Sequence, residues 1–197
     1  MGVKSGQDLY LLVGLGNPGR SYRGNRHNIG FMVLDRVAEA LNVKFSKVKR
    51  EALFTRARVG DRRLVLVKPQ TYMNHSGRAV QAYLQFHKIP LDHLLVVYDD
   101  VDLPFEHLRL KPGGGAGGQK GMRSIIKALS TKEFPRLRVG IGRPPSRMPV
   151  SAYVLRDFSS REEEILPFVL DEAVQGVLTF VKDGIHQAMT QINRSPD

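Results

Sequence analysis

The chain has 197 residues, of which 42% are apolar and 25% charged, and it contains no cysteine. That length holds one sizeable core. The lack of cysteine excludes disulfides and thiolate metal sites, and no apolar run is long enough to span a bilayer. The formal net charge of +11 is unevenly spread: residues 1–150 carry 26 Lys and Arg against 11 Asp and Glu, whereas residues 151–197 carry 4 against 8. The basic excess peaks between Pro104 and Val150, where ten Lys and Arg stand with Glu106 and Glu133 alone. Such asymmetry points to a polyanion met by one face.

Residues 1–7 have no apolar core of signal-peptide type. They read as a disordered leader, and a cytoplasmic location is the default expectation. Tyr10–Val13 is an apolar run that reads as a buried strand, broken by Gly14, Gly16, Pro18 and Gly19 into a tight turn. A basic loop with Arg20, Arg23 and Arg26 leads to His27 and Asn28 at the start of a helix. Its stripe is Gly30, Val33, Leu34, Val37, Ala38 and Leu41, at spacings of three and four. Residues 43–48 suggest a short strand. Ala57–Val59 and Leu64–Val67 flank Gly60-Asp61 as a hairpin.

The loop QTYMNHSG follows, with Asn74 or Ser76 as the expected cap of a helix running to about His87. Leu94–Tyr98 reads as a buried strand ending in Asp99-Asp100, and His107–Lys111 as an edge strand. After GGGAGGQKG comes a helix with the stripe Met122, Ile125, Ile126 and Leu129. Leu137–Ile141 is another strand. From Ser160 the chain is helical, with Glu162–Glu164 in the first turn where the dipole favours them, and Pro167 in or limiting that turn. The expected fold is a single-domain α/β protein spanning residues 1–197. Its sheet is mixed and largely parallel, flanked by helices, with a C-terminal helical region. If the strands run parallel, Asn17, His27, Asn74 and Asp99 converge beyond their carboxyl ends.

Gly14-Leu15-Gly16-Asn17-Pro18-Gly19 matches the dinucleotide fingerprint G-x-G-x-x-G. Three features oppose that reading: Pro18 lies inside the motif, the helix starts well past the third glycine, and Phe45-Ser46-Lys47 supplies no ribose carboxylate. Among the titratable groups, His27 stands apart for its place after the glycine turn. Asp99, Asp100 and Asp102 suggest either a Mg²⁺ site or one Asp orienting a base while its neighbours cap the turn. The second is favoured, because no other carboxylate cluster completes a metal shell. A His–Asp pair without a nucleophile elbow suggests general-base activation of water. Asn17 and Asn74 offer amides to a carbonyl, or serve simply as turn residues.

The segments GLGNPGRSYRGNRHNIGF, KPQTYMNHSG, VYDDVDLP, LRLKPGGGAGGQKG and FPRLRVGIGRP, in this order, resemble the signature segments of bacterial-type peptidyl-tRNA hydrolases. The resemblance implies a monomeric α/β enzyme that needs no cofactor and no metal. It would cleave the ester between a peptide and the terminal ribose of tRNA, recycling the tRNA. It also implies His27 as base, Asp99 as its partner, Asn17 and Asn74 on the peptide and its ester carbonyl, and Tyr22 and Met73 lining the crevice. Arg109, Lys111 and Arg138 would face tRNA phosphates. Where the family usually has His-Asn-Gly, this chain reads Gln119-Lys120-Gly121, so Lys120 is expected on substrate in place of an asparagine amide. The alternative is an inactive relative that binds RNA as a splicing factor.

Overall fold

The computed structural model describes residues 8–145 and 147–193, so the expected leader lies outside the described residues. Strand β1 (Leu9–Gly14) is a continuous apolar run whose side chains point alternately to the two faces of the sheet. Leu12 faces one side of the sheet with Leu66 and Leu95, while Leu11 and Val13 face the other with Val65 and Val96. That two-sided burial is the mark of a central strand with helices on both faces.

The remaining strands are β2 (Lys47–Lys49), β3 (Ala52–Val59), β4 (Arg62–Pro69), β5 (Leu94–Asp100), β6 (Leu108–Lys111) and β7 (Arg136–Gly140). Among the described residues they form one sheet in the order β2-β3-β4-β1-β5-β7-β6. The four middle strands β4, β1, β5 and β7 run parallel, whereas β2, β3 and β6 pair antiparallel at the two edges. Gly60-Asp61 closes the β3–β4 hairpin as expected, with Gly60 at a φ of 55. The strands of that hairpin are longer than the apolar cores predicted. Residues 43–46 lie outside any strand, so the predicted strand over 43–48 is reduced to the exposed β2.

Helix α1 (Ile29–Ala40) buries Ile29, Val33, Leu34, Val37 and Ala38 on one face of the sheet. Helix α5 (Ser160–Ile192) lies on the same side. Helices α2 (Ser76–His87) and α3 (Lys120–Leu129) cover the opposite face. A short helix, α4 (Val150–Tyr153), was not anticipated, because four residues carry no periodicity. Neither Asn74 nor Ser76 caps α2. The N-cap is His75 with no side-chain bond, and Ser76 Oγ donates instead to Met73 O at 2.8 Å.

Pro167 sits inside α5, beyond the first turn, where it neither starts nor stops the helix. The interruption comes at Gly184 (φ 86). The α5 start is secured by a capping box between Ser159 and Glu162. The glycine fingerprint has a packing role. A Cβ on Gly14 would meet Gly30 O at 2.2 Å, and one on Gly30 would meet Val97 O at 2.4 Å. These two glycines let the start of α1 approach β1 and β5 directly, which brings the turn before α1 to the carboxyl edge of the sheet.

Candidate active site

Three of the four parallel strands deliver the site. Asn17 follows β1, Met73 and Asn74 follow β4, and Asp99 lies at the end of β5. These residues, together with His27, Gln119 and Lys120, line a cleft of about 930 Å³.

His27 lies in a short helical turn, Arg26–Asn28, immediately before α1. Its Nδ1 is 2.8 Å from Asp99 Oδ2, in a pair whose side chains are 11% and 2% exposed. With Nδ1–H donating to the carboxylate, the imidazole tautomer is set and Nε2 keeps a lone pair. The backbone N–H of His27 donates to Val154 O, and that of Arg26 to Arg156 O. His27 is therefore docked on α4 and the segment after it, which line the cleft through Val150, Val154 and Leu155.

Arg26 clamps this junction. Its guanidinium donates to Asp157 O and to Glu162 Oε2, each at 2.6 Å, and lies 4.4 Å from the Tyr153 ring centroid. Burial pushes the Glu162 carboxyl up, but the Ser159 hydrogen bonds and the Arg26 guanidinium outweigh it and hold it below the usual range.

Asn17 is oriented at both ends. Its backbone N–H donates to Asn28 Oδ1 at 2.8 Å, and Asn28 Nδ2 returns a bond to Asn17 O at 2.9 Å. Met73 N–H donates to Asn17 Oδ1 at 2.9 Å. Because the amide oxygen is thus occupied, the Nδ2 group is the end left for a ligand. Asn74 is exposed at the rim of the cleft, one residue beyond buried Met73.

The three aspartates make different contacts, and of the two neighbours expected to cap the turn only Asp100 does so. Asp99 serves His27. Asp100 accepts Asp102 N–H at 2.8 Å and Arg138 Nε at 2.6 Å, and Asp102 pairs with Arg143.

Sequence reasoning missed Gln119 as a residue acting on the pair. Its Oε1 accepts Met122 N–H at 2.8 Å, capping α3, which forces its Nε2 toward Asp99 Oδ1 at 3.0 Å. Both carboxylate oxygens of Asp99 are therefore held. The signal available was its position just before the apolar stripe of α3, where a side-chain cap is expected. Lys120, the first residue of α3, is exposed on the cleft rim.

Two expectations need correction. Tyr22 does not line this cleft, because Gly19 (φ 114) turns the chain so that the Tyr22 ring folds back over Gly19. Arg138 is mostly covered and ion-paired with Asp100, so it is not a free phosphate contact. It shares a face of the β6–β7 ladder with exposed Arg109, its direct partner in register, and Lys111 follows two residues on. Arg136, 1% exposed, binds the Gly114, Gly115 and Lys132 carbonyls and so holds the glycine-rich loop that leads to Gln119.

The family model described as peptidyl-tRNA hydrolase matches residues 11–197. The chain is 48% identical to the peptidyl-tRNA hydrolase of Pseudarthrobacter chlorophenolicus, over 94% of this chain and 96% of that one. It is 46% identical to a mitochondrial peptidyl-tRNA hydrolase of Oryza sativa, over 93% of this chain and 74% of the rice protein. A crystal structure of the Acinetobacter baumannii enzyme of the same name superposes with a TM-score of 0.89 at 35% identity, covering 95% and 96% of the two chains. With the strand order, the buried His–Asp pair and this likeness along nearly its whole length, the chain belongs to the peptidyl-tRNA hydrolase family.

Proposed function

We propose that this protein hydrolyses the ester joining a peptide to the terminal ribose of tRNA, as a monomer in the cytoplasm. The observation that carries the reading is the His27–Asp99 contact at 2.8 Å on the wall of a large cleft. Nε2 of His27 takes a proton from water as the oxygen attacks the ester carbonyl. Asp99 steadies the imidazolium that forms. The Asn74 amide donates to the developing oxyanion, and Asn17 Nδ2 holds a peptide carbonyl. Collapse of the tetrahedral intermediate returns the proton to the departing ribose hydroxyl. Peptide carboxylate and free tRNA are released.

A positioned base contributes on the order of 10²–10⁴ in rate, and one oxyanion donor roughly 10²–10³. Met73 packs beneath the peptide end, Lys120 meets a phosphate or the ribose edge, and Arg109 and Lys111 follow the tRNA backbone. Incubation with an N-blocked aminoacyl-tRNA is expected to release free tRNA, and His27→Ala is expected to slow release by at least a hundredfold. Absence of release by the wild type would overturn the reading and leave a binding protein, and release by His27→Ala as fast as by the wild type would overturn the role of His27 as base.

A further inference from the structure

A second basic concentration lies at the other end of the sheet. Residues 44–68 contain nine Lys and Arg against Glu51 and Asp61. Lys47 and Lys49 pair in register with Phe54 and Ala52, so they share the sheet face that packs α2, where Phe54 meets Tyr83. Arg56, two residues on from Phe54, is exposed on that face. Beside these cations the end of α2 presents Phe86, 60% exposed, with the Arg50 guanidinium 3.5 Å from its ring centroid. Of the two carboxylates, Glu51 is paired with Arg78 at 3.0 Å.

The turn that places Arg50 is costly. Arg50 and Glu51 both sit in the left-handed region, with φ of 50 and 58, where a hairpin turn favours Asn or Gly. Side chains kept in such a conformation mark a position with a task. Here the turn lays a cation along an exposed aromatic ring. Burial, with smaller contributions from nearby Arg50 and Arg56, pulls His87 below its ordinary value.

We propose that the β2–β3 edge and the end of α2 form a second RNA-binding surface, with Lys47, Lys49 and Arg56 on phosphates and Phe86, backed by Arg50, stacking a base. Cations along a strand suit a polyanion backbone, and a stacking ring is what a nucleic acid uses and a simple anion does not. This surface is separated from β6 by six strand spacings, about 29 Å, so the two basic faces hold different stretches of RNA.

The test is fluorescence anisotropy with a short single-stranded RNA over a salt series, using Lys47→Glu/Lys49→Glu and Phe86→Ala. Each variant is expected to weaken binding about tenfold, and the lysine pair to lower the salt slope by about 1.4. A parallel arm measures KM for an N-blocked aminoacyl-tRNA. A raised KM in the same variants assigns the surface to the substrate's own tRNA, and an unchanged KM assigns it to a separate RNA. Wild-type affinity and salt slope in the lysine variant would overturn the proposal. Binding unaffected by Phe86→Ala and displaced equally by inorganic polyphosphate would overturn it in favour of an acidic partner. The binding arm needs no hydrolysis, so it is independent of the reading of the cleft.

Discussion

Gln119 illustrates how much one side chain decides at the residue scale. Its oxygen is committed to the first turn of α3, so its amide nitrogen has one direction left, and that direction is Asp99. A hydrogen bond to a charged group is worth about 1.5–3 kcal/mol. Gln119→Ala is therefore expected to lower kcat roughly tenfold to hundredfold while KM changes little. Steady-state kinetics with an N-blocked aminoacyl-tRNA checks this. A rise in KM at constant kcat would instead place Gln119 on the substrate. At this scale the sequence was only partly legible. His27, Asp99 and Asn17 stood out because a glycine turn, a buried strand and an asparagine at a strand end are local features. The roles of Gln119, Asn28 and Arg26 depend on side-chain contacts with residues 11 to 136 positions away, and no spacing rule carries them.

At the scale of elements, the site depends on the junction between the turn before α1 and the start of α5. Arg26 and Glu162 lie 136 residues apart in sequence, yet they lock the turn that carries His27 to the start of α5. Because the Glu162 carboxyl is held below its ordinary value of 4.5, its contribution is present above that value and is lost as pH falls through the folded-state value. Glu162→Gln is expected to lower Tm at pH 7 and to lower it less at about pH 3, because the stabilisation fades as the wild-type group gains protons below its ordinary value. Thermal unfolding monitored by circular dichroism at both pH values checks this. A deficit of equal size at both would show that packing, not the ion pair, holds the junction. Helices α1 and α3 were legible from apolar stripes, whereas the four-residue α4 was not. Helix ends were less legible: the expected caps of α2 are replaced by a short turn whose bonds run to Met73 and Tyr72 carbonyls.

At the scale of the whole molecule, charge is arranged by the sheet. Arg109 and Lys111 project from the edge strand β6, free of the ion pair that engages Arg138. Arg109→Ala/Lys111→Ala is expected to raise KM for tRNA substrates and to reduce the salt slope by about 2. Arg138→Ala is expected to act differently, since it strips Asp100 of its partner and lowers stability as well. Salt-dependent KM measurements, paired with Tm, separate the two effects.

The sequence by itself determined the α/β class, the buried strands, the glycine turn and the residue types at each strand end, because these follow from local periodicity and turn chemistry. The strand order, and with it the meeting of His27 and Asp99 across 72 residues, was decided by tertiary structure. Side-by-side parallel strands, joined by helices over both faces, are needed to bring separate carboxyl ends to one cleft. The same packing shows that Gly14 and Gly30 serve the close approach of a helix to a strand.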